Sequence, residues 1–323
     1  MNPPYTITSS ILALVAEIFG KVGKIDATYL DKPSPQLRKQ NRVKTINASL
    51  AIEGNTLTGE QVTAILEGKR VFGPKKDILE VENALKVYAD LRSCEHDSGS
   101  SFLSAHNQLM QGLMDVPGRY RTVAVGIYQG SKLSHMPPPP RLVPQLMDAL
   151  FEYAADVDEL ALIKSCVFHY ELEFIHPFED GNGRMGRLWQ ALILAKWHPI
   201  FEFVPFETLI KEDQKAYYDV LAVCDKAGNS TAFIEFMLRI INESLGHLIE
   251  EREQKMTGAQ RLAYFLEDRN EPFRRADYKA VFPDVSTATA SRDLADGVKA
   301  GIIEKEGDKR TTVYRIIDLE TED

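Results

Sequence analysis

The 323-residue sequence predicts a mainly α-helical chain with one β-hairpin in its body and a small helix-and-hairpin unit at its C-terminus. Three observations predict it. Apolar residues recur at three-to-four spacing along most of the chain, the period of a helix with one buried face. Only Thr122 to Tyr128 alternates instead, with β-branched residues on every other position. Beyond the charged run Glu250 to Lys255, the periodic segments become short.

In order, the helical stretches are Ser10 to Phe19, Gln36 to Ile52, Leu79 to Leu91, Leu142 to Ala155 and Asp158 to Glu173. A further helix starts near Asn182 and runs through Leu188, Leu192 and Leu194 to about Lys196, and another spans Phe233 to Glu250. The alternating stretch is followed by Gln129-Gly130-Ser131 and then Leu133 to Met136, a hairpin signal. Four prolines at 137–140 stop its second strand and hold the chain extended. After the charged run come three short helices, Ala259 to Leu266, Arg275 to Val281 and Thr287 to Ala300. Two strands, Ile302 to Glu304 and Val313 to Ile316, flank the turn Gly307-Asp308-Lys309. Three helices and a small hairpin suggest a winged-helix unit. The expected division is therefore an N-terminal helical region at 1–100, a core at 101–250 and the winged-helix-like unit at 256–323.

A net charge of −9 argues against broad attraction to nucleic acid or an anionic membrane. Residues 256–323 hold 11 Lys/Arg against 14 Asp/Glu, and the helix from Ser286 sets Arg292 and Lys299 against Asp293 and Asp296. A DNA-reading helix normally brings more phosphate-binding charge. Arg274-Arg275 and Lys309-Arg310 leave contact with backbone phosphates open, beside domain packing, dimerisation or target selection. Cys94, Cys166 and Cys224 are far apart and form neither a disulfide framework nor a zinc pattern, which fits a reducing compartment. The apolar run Ile11 to Phe19 is short and carries Glu17, so no signal peptide or membrane span is expected. The expected location is cytoplasmic.

Chemistry concentrates in residues 176–187, HPFEDGNGRMGR. Gly181-Asn182-Gly183 precedes a helix, so backbone amides can approach and point at an anion. Arg184 and Arg187 follow three residues apart on one helix face, with the fork geometry that suits phosphate oxygens. A nest plus two arginines describes a di- or triphosphate clamp. Asp180 sits beside it, and Mg²⁺ (or Mn²⁺) commonly takes one or two carboxylates together with phosphate oxygens. His176 leads into the loop, where a neutral imidazole can take the proton of an attacking hydroxyl. Phe178 is expected as a buried anchor. Each feature alone is commonplace; their combination within twelve residues points to a nucleotide site.

The segment resembles the signature of the Fic family, HxFx(D/E)GNGRxxR, at every fixed position, with Met185-Gly186 filling the variable pair. The resemblance implies a mostly helical Fic-type bundle that transfers AMP from ATP to a Ser, Thr or Tyr hydroxyl of a target protein. It implies His176 as general base, Asp180 as metal ligand, Gly181, Asn182 and Gly183 as the phosphate cradle, and Arg184 and Arg187 on the outer phosphates. A phosphorylating variant of the wider group has Lys where Gly183 stands, so Gly183 favours AMP transfer and leaves the donor nucleotide open.

Ser49-Leu50-Ala51-Ile52-Glu53-Gly54-Asn55 is similar to that family's inhibitory motif, (S/T)xxxE(G/N). Ser49 and Glu53 lie one helical turn apart, and Gly54 suits a left-handed C-cap just beyond. A carboxylate at a helix C-terminus is disfavoured by the helix dipole and needs a cation. The resemblance makes Arg187 that cation, which would withdraw it from the terminal phosphate. The inhibitory helix is expected at about 38–54.

By the same resemblance the hairpin Val123 to Met136 is a flap. Its edge at Val125, Gly126, Ile127 and Tyr128 would dock a target segment as an added strand. Tyr217-Tyr218 occupies the place of nucleoside contacts, with one of the pair facing the base, and Asp225 stands where relatives often show Asn. His106, His169, His198 and His247 show no ligand spacing and read as structural or surface. The functional expectation is a protein adenylylyltransferase restrained by Glu53, with auto-modification, homodimer formation and the reverse removal of AMP open. The alternatives are an ATP-sensing regulator that reads DNA through its wing, and the same enzyme with another nucleotide donor.

Overall fold

The structure, a computed structural model, describes residues 3–27, 35–129, 132–253, 257–266, 269, 271–282, 285–308 and 312–317. The chain divides into two compact units, Met1–Lys32 with Lys39–Ile249, and Pro33–Arg38 with Glu250–Asp323.

In the first unit, helices α1 (Ser9–Ala27) and α2 (Pro35–Ile52, from Lys39 onward in this unit) precede α3 (Gly59–Leu66), α4 (Lys75–Ala89) and α5 (Gly99–Leu109). Strands β1 (Ile127–Gln129) and β2 (Lys132–His135) form an antiparallel hairpin, and α6 (Val143–Ala155) follows. Next come α7 (Ala161–Ile175), α8 (Asn182–Trp197), α9 (Phe206–Glu212), α10 (Gln214–Ala227) and α11 (Thr231–Glu253). Each predicted helix is present. Helix α1 extends well past Phe19, because Val22 and Ile25 continue its buried stripe.

Helices α7 and α8 form the central pair and are buried on nearly every face. Their close approach depends on Gly186, where a Cβ would collide with the imidazole of His169. His169 is itself fully buried between Gln190 Oε1 at 2.6 Å and Tyr217 Oη at 3.0 Å. Burial pushes its pKa down to about 3, so it packs as a neutral ring. Around the pair, Phe102, Phe151, Phe168, Phe178 and Trp189 form an aromatic cluster with centroids 4.9–6.4 Å apart. Burying rings of this size supplies much of a core's hydrophobic stabilisation. Cys166 and Cys224 are buried as expected, whereas Cys94 is only partly covered.

Two sequence expectations need correction here. The strand predicted over Thr122 to Tyr128 is confined to Ile127–Gln129, so Val125 and Gly126 precede it in irregular backbone. At this point Arg121 Nη1 donates to the Val123 carbonyl at 3.1 Å, serving a group that a ladder would otherwise pair. The charged run from Glu250 does not open a linker at once, since α11 continues to Glu253. The turn residues Gly130 and Ser131, the side chain of Tyr128, residues 254–256 of the run, and Lys309 and Arg310 lie outside the described residues.

The second unit contains α12 (Gly258–Leu266), α13 (Arg275–Val281) and α14 (Thr287–Lys299), then strands β3 (Ile303–Glu306) and β4 (Val313–Ile316). The strands are antiparallel, and Phe273 adds one bridge to Tyr314. Leu262, Phe265, Phe273, Tyr278, Ala290, Leu294 and Ile303 build its own core. Asp293, counted at the sequence level with the helix's surface charge, is buried. It accepts from Arg261 Nε and Nη2 at 2.7 and 2.8 Å and from Tyr278 Oη at 3.0 Å. That pairing ties α12, α13 and α14 together and leaves Arg292, Asp296 and Lys299 as the helix's exposed charges.

Candidate functional site

The loop between α7 and α8 begins with a backbone anomaly. His176 caps α7 at φ 49°, ψ 62°, the sole non-glycine residue with positive φ among the described residues. Glycine usually occupies this left-handed cap, and a side chain there carries strain. The strain is held in place by Arg121, which is 3% exposed. Its Nε donates to the His176 carbonyl at 2.7 Å and its Nη2 to the Ile175 carbonyl at 3.3 Å. The Arg121 backbone N–H donates to the Pro177 carbonyl at 2.8 Å. The same guanidinium donates to both roots of the hairpin, at Val123 (3.1 Å) and Pro138 (2.6 Å). One buried cation thus joins the histidine loop to the flap. Replacing it with methionine leaves these carbonyls without their donor, a loss on the order of 2–4 kcal/mol. Arg121→Met is expected to lower the urea midpoint accordingly, with Arg121→Lys recovering only part, because one ammonium cannot span four carbonyls. A midpoint unchanged in both variants would show that Arg121 is not the joint.

The imidazole of His176 lines a cavity of about 420 Å³. Its Nδ1 is sealed from solvent, which leaves Nε2 as the nitrogen toward the cavity. Burial pushes its pKa down to about 4, against a smaller opposing effect from the Glu173 backbone, so the ring is neutral at pH 7.

After His176, the loop is fastened by its own side chains. Phe178 is fully buried. Asn182 clasps it twice, accepting from the Phe178 N–H at 2.9 Å and donating to its carbonyl at 3.0 Å. His106 stacks on Phe178 with centroids 3.5 Å apart. Its Nδ1 accepts from the Gly118 N–H at 2.9 Å, so Nε2 carries the proton and donates to the Asp180 carbonyl at 3.0 Å. Gly181 is left-handed at φ 87° and has Met110 and His106 against it, so a side chain there would be both strained and blocked. Helix α8 then starts, and its first amides have no intrahelical acceptor. Gly181, Asn182 and Gly183, at this helix start, line the cavity.

Asp180 also faces the cavity, with its side chain 52% exposed, and accepts from Arg184 Nη2 at 2.9 Å and from the Gly181 N–H at 2.6 Å. No group of three or more His, Cys, Asp or Glu side chains able to hold a metal occurs among the described residues. The accessible Asp180 carboxylate beside an anion nest fits Mg²⁺ that draws its remaining ligands from phosphate and water. It does not fit an all-protein cage.

The two arginines part company, contrary to the expectation that both aim at one place. Arg187 lines the cavity, whereas Arg184 does not. Arg184 is buried and turned to Glu80 of α4 at 3.1 Å as well as to Asp180. A spacing of three leaves about 60° between side chains, and Glu80 captures the one that points its way.

Arg187 is fully buried and is met by the end of α2. Its Nε donates to Ser49 Oγ at 3.0 Å, and its Nη2 to the Ser49 carbonyl at 2.9 Å and Glu53 Oε1 at 2.8 Å. Burial works against the cation, but Glu53, joined by Tyr217 and Glu173, outweighs it and holds the guanidinium's pKa above its ordinary value. Glu53 reaches this position across Gly183. A Cβ on Gly183 would strike Glu53 Oε1, so the missing side chain is what lets the carboxylate in. Gly54, at φ 91°, turns the chain away just behind it.

The far wall is one face of α10, with Tyr218, Leu221, Ala222 and Asp225 at i, i+3, i+4 and i+7. Tyr218 is 37% exposed, while Tyr217 is 1% exposed with its hydroxyl on His169. Tyr217 therefore belongs to the wall, and Tyr218 is the tyrosine open to a ligand. Ile127 and His135 close the cavity from the hairpin; Val125 and Gly126 are not part of its lining. Arg121 and His135 carry no local sequence signal, because His176, which Arg121 holds, and Phe174 and Asp225, which hold His135, lie tens of residues away.

A family model described as Fic/DOC family matches residues 98–194. In solved structures, the chain is similar over the full length of both to a Fic family protein from Desulfovibrio desulfuricans G20, at 40% identity and TM-score 0.75. It shares the fold of Fic-1 from C. elegans at TM-score 0.61 and 22% identity, over 75% of this chain and 74% of that one. Among curated proteins, it is 28% identical to "Protein adenylyltransferase Fic" of Nematostella vectensis, over 74% of this chain and 60% of that protein. It is 31% identical to "Protein adenylyltransferase fic-1" of Caenorhabditis elegans, over 62% of this chain and 40% of that protein. The chain thus spans between two fifths and three fifths of the length of these two curated relatives.

Proposed function

The chain belongs to the Fic family, and from that premise we propose that it transfers AMP from ATP to a hydroxyl side chain of a protein and is restrained by Glu53. The observation that carries this reading is the meeting of the neutral His176, the Gly181–Gly183 nest and the Glu53–Arg187 pair around one cavity. The volume, about 420 Å³, lies in the range of small-molecule sites.

His176 Nε2 takes the acceptor's hydroxyl proton as the oxygen attacks the α-phosphorus of ATP. The new O–P bond forms as the bond from the α-phosphorus to the bridging oxygen breaks, and pyrophosphate leaves. The amides at the start of α8 and a freed Arg187 stabilise the charge that gathers on the phosphates. Asp180 would hold Mg²⁺, with Arg184 fixing that carboxylate; bound there, the ion neutralises phosphate charge. Tyr218, Leu221 and Ala222 offer the base an apolar face. The edge at Ile127 suits an extended target segment added as a strand. While Glu53 holds Arg187, the terminal phosphate lacks that partner and ATP binds unproductively.

No helix of the described residues is long and apolar enough to cross a membrane. Intact mass spectrometry of the Glu53→Gly protein after incubation with ATP and Mg²⁺ tests the reaction. The expected product is the chain plus one or more AMP masses. Unmodified protein with ATP, together with modification by another nucleoside triphosphate, would move the assignment to that donor.

A further inference from the structure

A pair of side chains joins the flap to the cavity wall and has no part in the chemistry above. His135, at the end of β2, has Nδ1 2.8 Å from Asp225 Oδ2 and Nε2 2.8 Å from the Phe174 carbonyl. A carboxylate and a carbonyl only accept, so both ring nitrogens must donate, and only the imidazolium has two N–H groups. Asp225 also accepts from Tyr170 Oη at 3.1 Å, so α7, α10 and β2 meet at one carboxylate.

The charged and titratable groups around the ring are Asp225 from α10, Glu173 and Tyr170 from α7, and His176 at the end of α7. Glu171 lies near Asp225, and burial together with that carboxylate pushes its own pKa up to about 7. Burial opposes the ring's charge, but the bonds to Asp225 and Phe174 outweigh it and raise its pKa above the ordinary histidine value. The positive ring also helps keep His176 neutral. Across the hairpin, His135 pairs with Ile127, and a register irregularity between Ile127 and Tyr128 lies next to that pair. Bulges of this kind re-aim a strand end. Both residues line the cavity.

We infer that His135, as an imidazolium locked between Asp225 and the Phe174 carbonyl, is the positioning residue of the flap, setting the edge at Ile127 for the acceptor segment. The lock itself does not depend on the adenylyl-transfer reading; its effect on acceptor placement rests on that reading.

Nitrogen-resolved NMR of the histidine side chains, on the full chain from pH 5 to 9, tests the lock. Both ring nitrogens of His135 are expected to be protonated at pH 7, and Asp225→Asn should return the ring to the ordinary histidine range. Because the folded-state pKa is raised, the lock is complete below the ordinary value and lost as pH rises through the raised one. Hydrogen exchange at Ile127–Gln129, corrected for its intrinsic pH dependence, should quicken in that upper range and in Asp225→Asn at pH 7. A neutral His135 at pH 7, or hairpin protection indifferent to Asp225→Asn, overturns the lock. In the Glu53→Gly background, His135→Gln should slow auto-modification about tenfold or more, since small misplacement of a reactant is costly, with the KM for ATP little changed. An unaltered rate overturns the positioning role. If Glu53→Gly transfers no AMP at all, the enzymatic reading fails, and the two spectroscopic arms still decide the lock.

Discussion

His176→Ala in the Glu53→Gly protein is expected to cut AMP incorporation about 10²- to 10⁴-fold, the usual contribution of a positioned general base. The ring reaches the cavity only because its backbone sits in a left-handed cap, and burial keeps it unprotonated, with a pKa pushed down to about 4. A base is active when deprotonated, so on the acid side activity should be lost only as pH falls through about 4, with no acid-side step near 6.5. Rates of mass gain at a series of pH values, with and without the substitution, measure both effects. A half-activity point near 6.5, or a rate that ignores the loss of the imidazole, would remove His176 from the chemistry.

Glu53→Gly alone is expected to raise the rate by roughly 10- to 150-fold, the equivalent of one charge-assisted hydrogen bond worth about 1.5–3 kcal/mol. Glu53 and a terminal phosphate compete for the same nitrogens of Arg187, and the carboxylate already holds Nη2 at 2.8 Å. Gly183 offers no side chain to keep it out. Ser49→Ala should activate far less, because the Ser49 carbonyl bond to Arg187 and the Glu53 pair both survive it. Steady-state rates of the three proteins under saturating ATP separate these outcomes. Equal rates for wild type and Glu53→Gly would mean that the contact has no restraining role.

Contiguity decided what could be read from residues alone. The loop from His176 to Arg187 brings base, nest, carboxylate and cation together within twelve positions, so its chemistry is visible without a fold. The long helices of the first unit and the short ones of the second were legible because their buried stripes repeat every three to four residues, whereas α3 and α5 went unread. Errors arose where a side-chain partner overrides a local pattern. TVAVGIY alternates like a strand, yet Arg121 claims the carbonyl of Val123 and only Ile127–Gln129 enters the ladder. Arg184 shares a motif with Arg187, yet Glu80, 104 residues away, turns it aside. Tyr217 and Tyr218 are indistinguishable by type, and the difference between them is that the Tyr217 hydroxyl bonds to the buried His169. Arg121, His106 and His135 act through carbonyls and amides, which every residue has, so no spacing rule marks them.

The double clasp of Asn182 on Phe178 has a consequence for how binding energy is spent. Because the nest is already shaped before any nucleotide arrives, little chain entropy remains to be lost on docking, and affinity is preorganised into the loop. Control of such a site cannot come from folding and unfolding its own backbone. It has to be imposed from a neighbouring element that can withdraw, and α2, ending at Ile52 just before Glu53, is the one placed to do so.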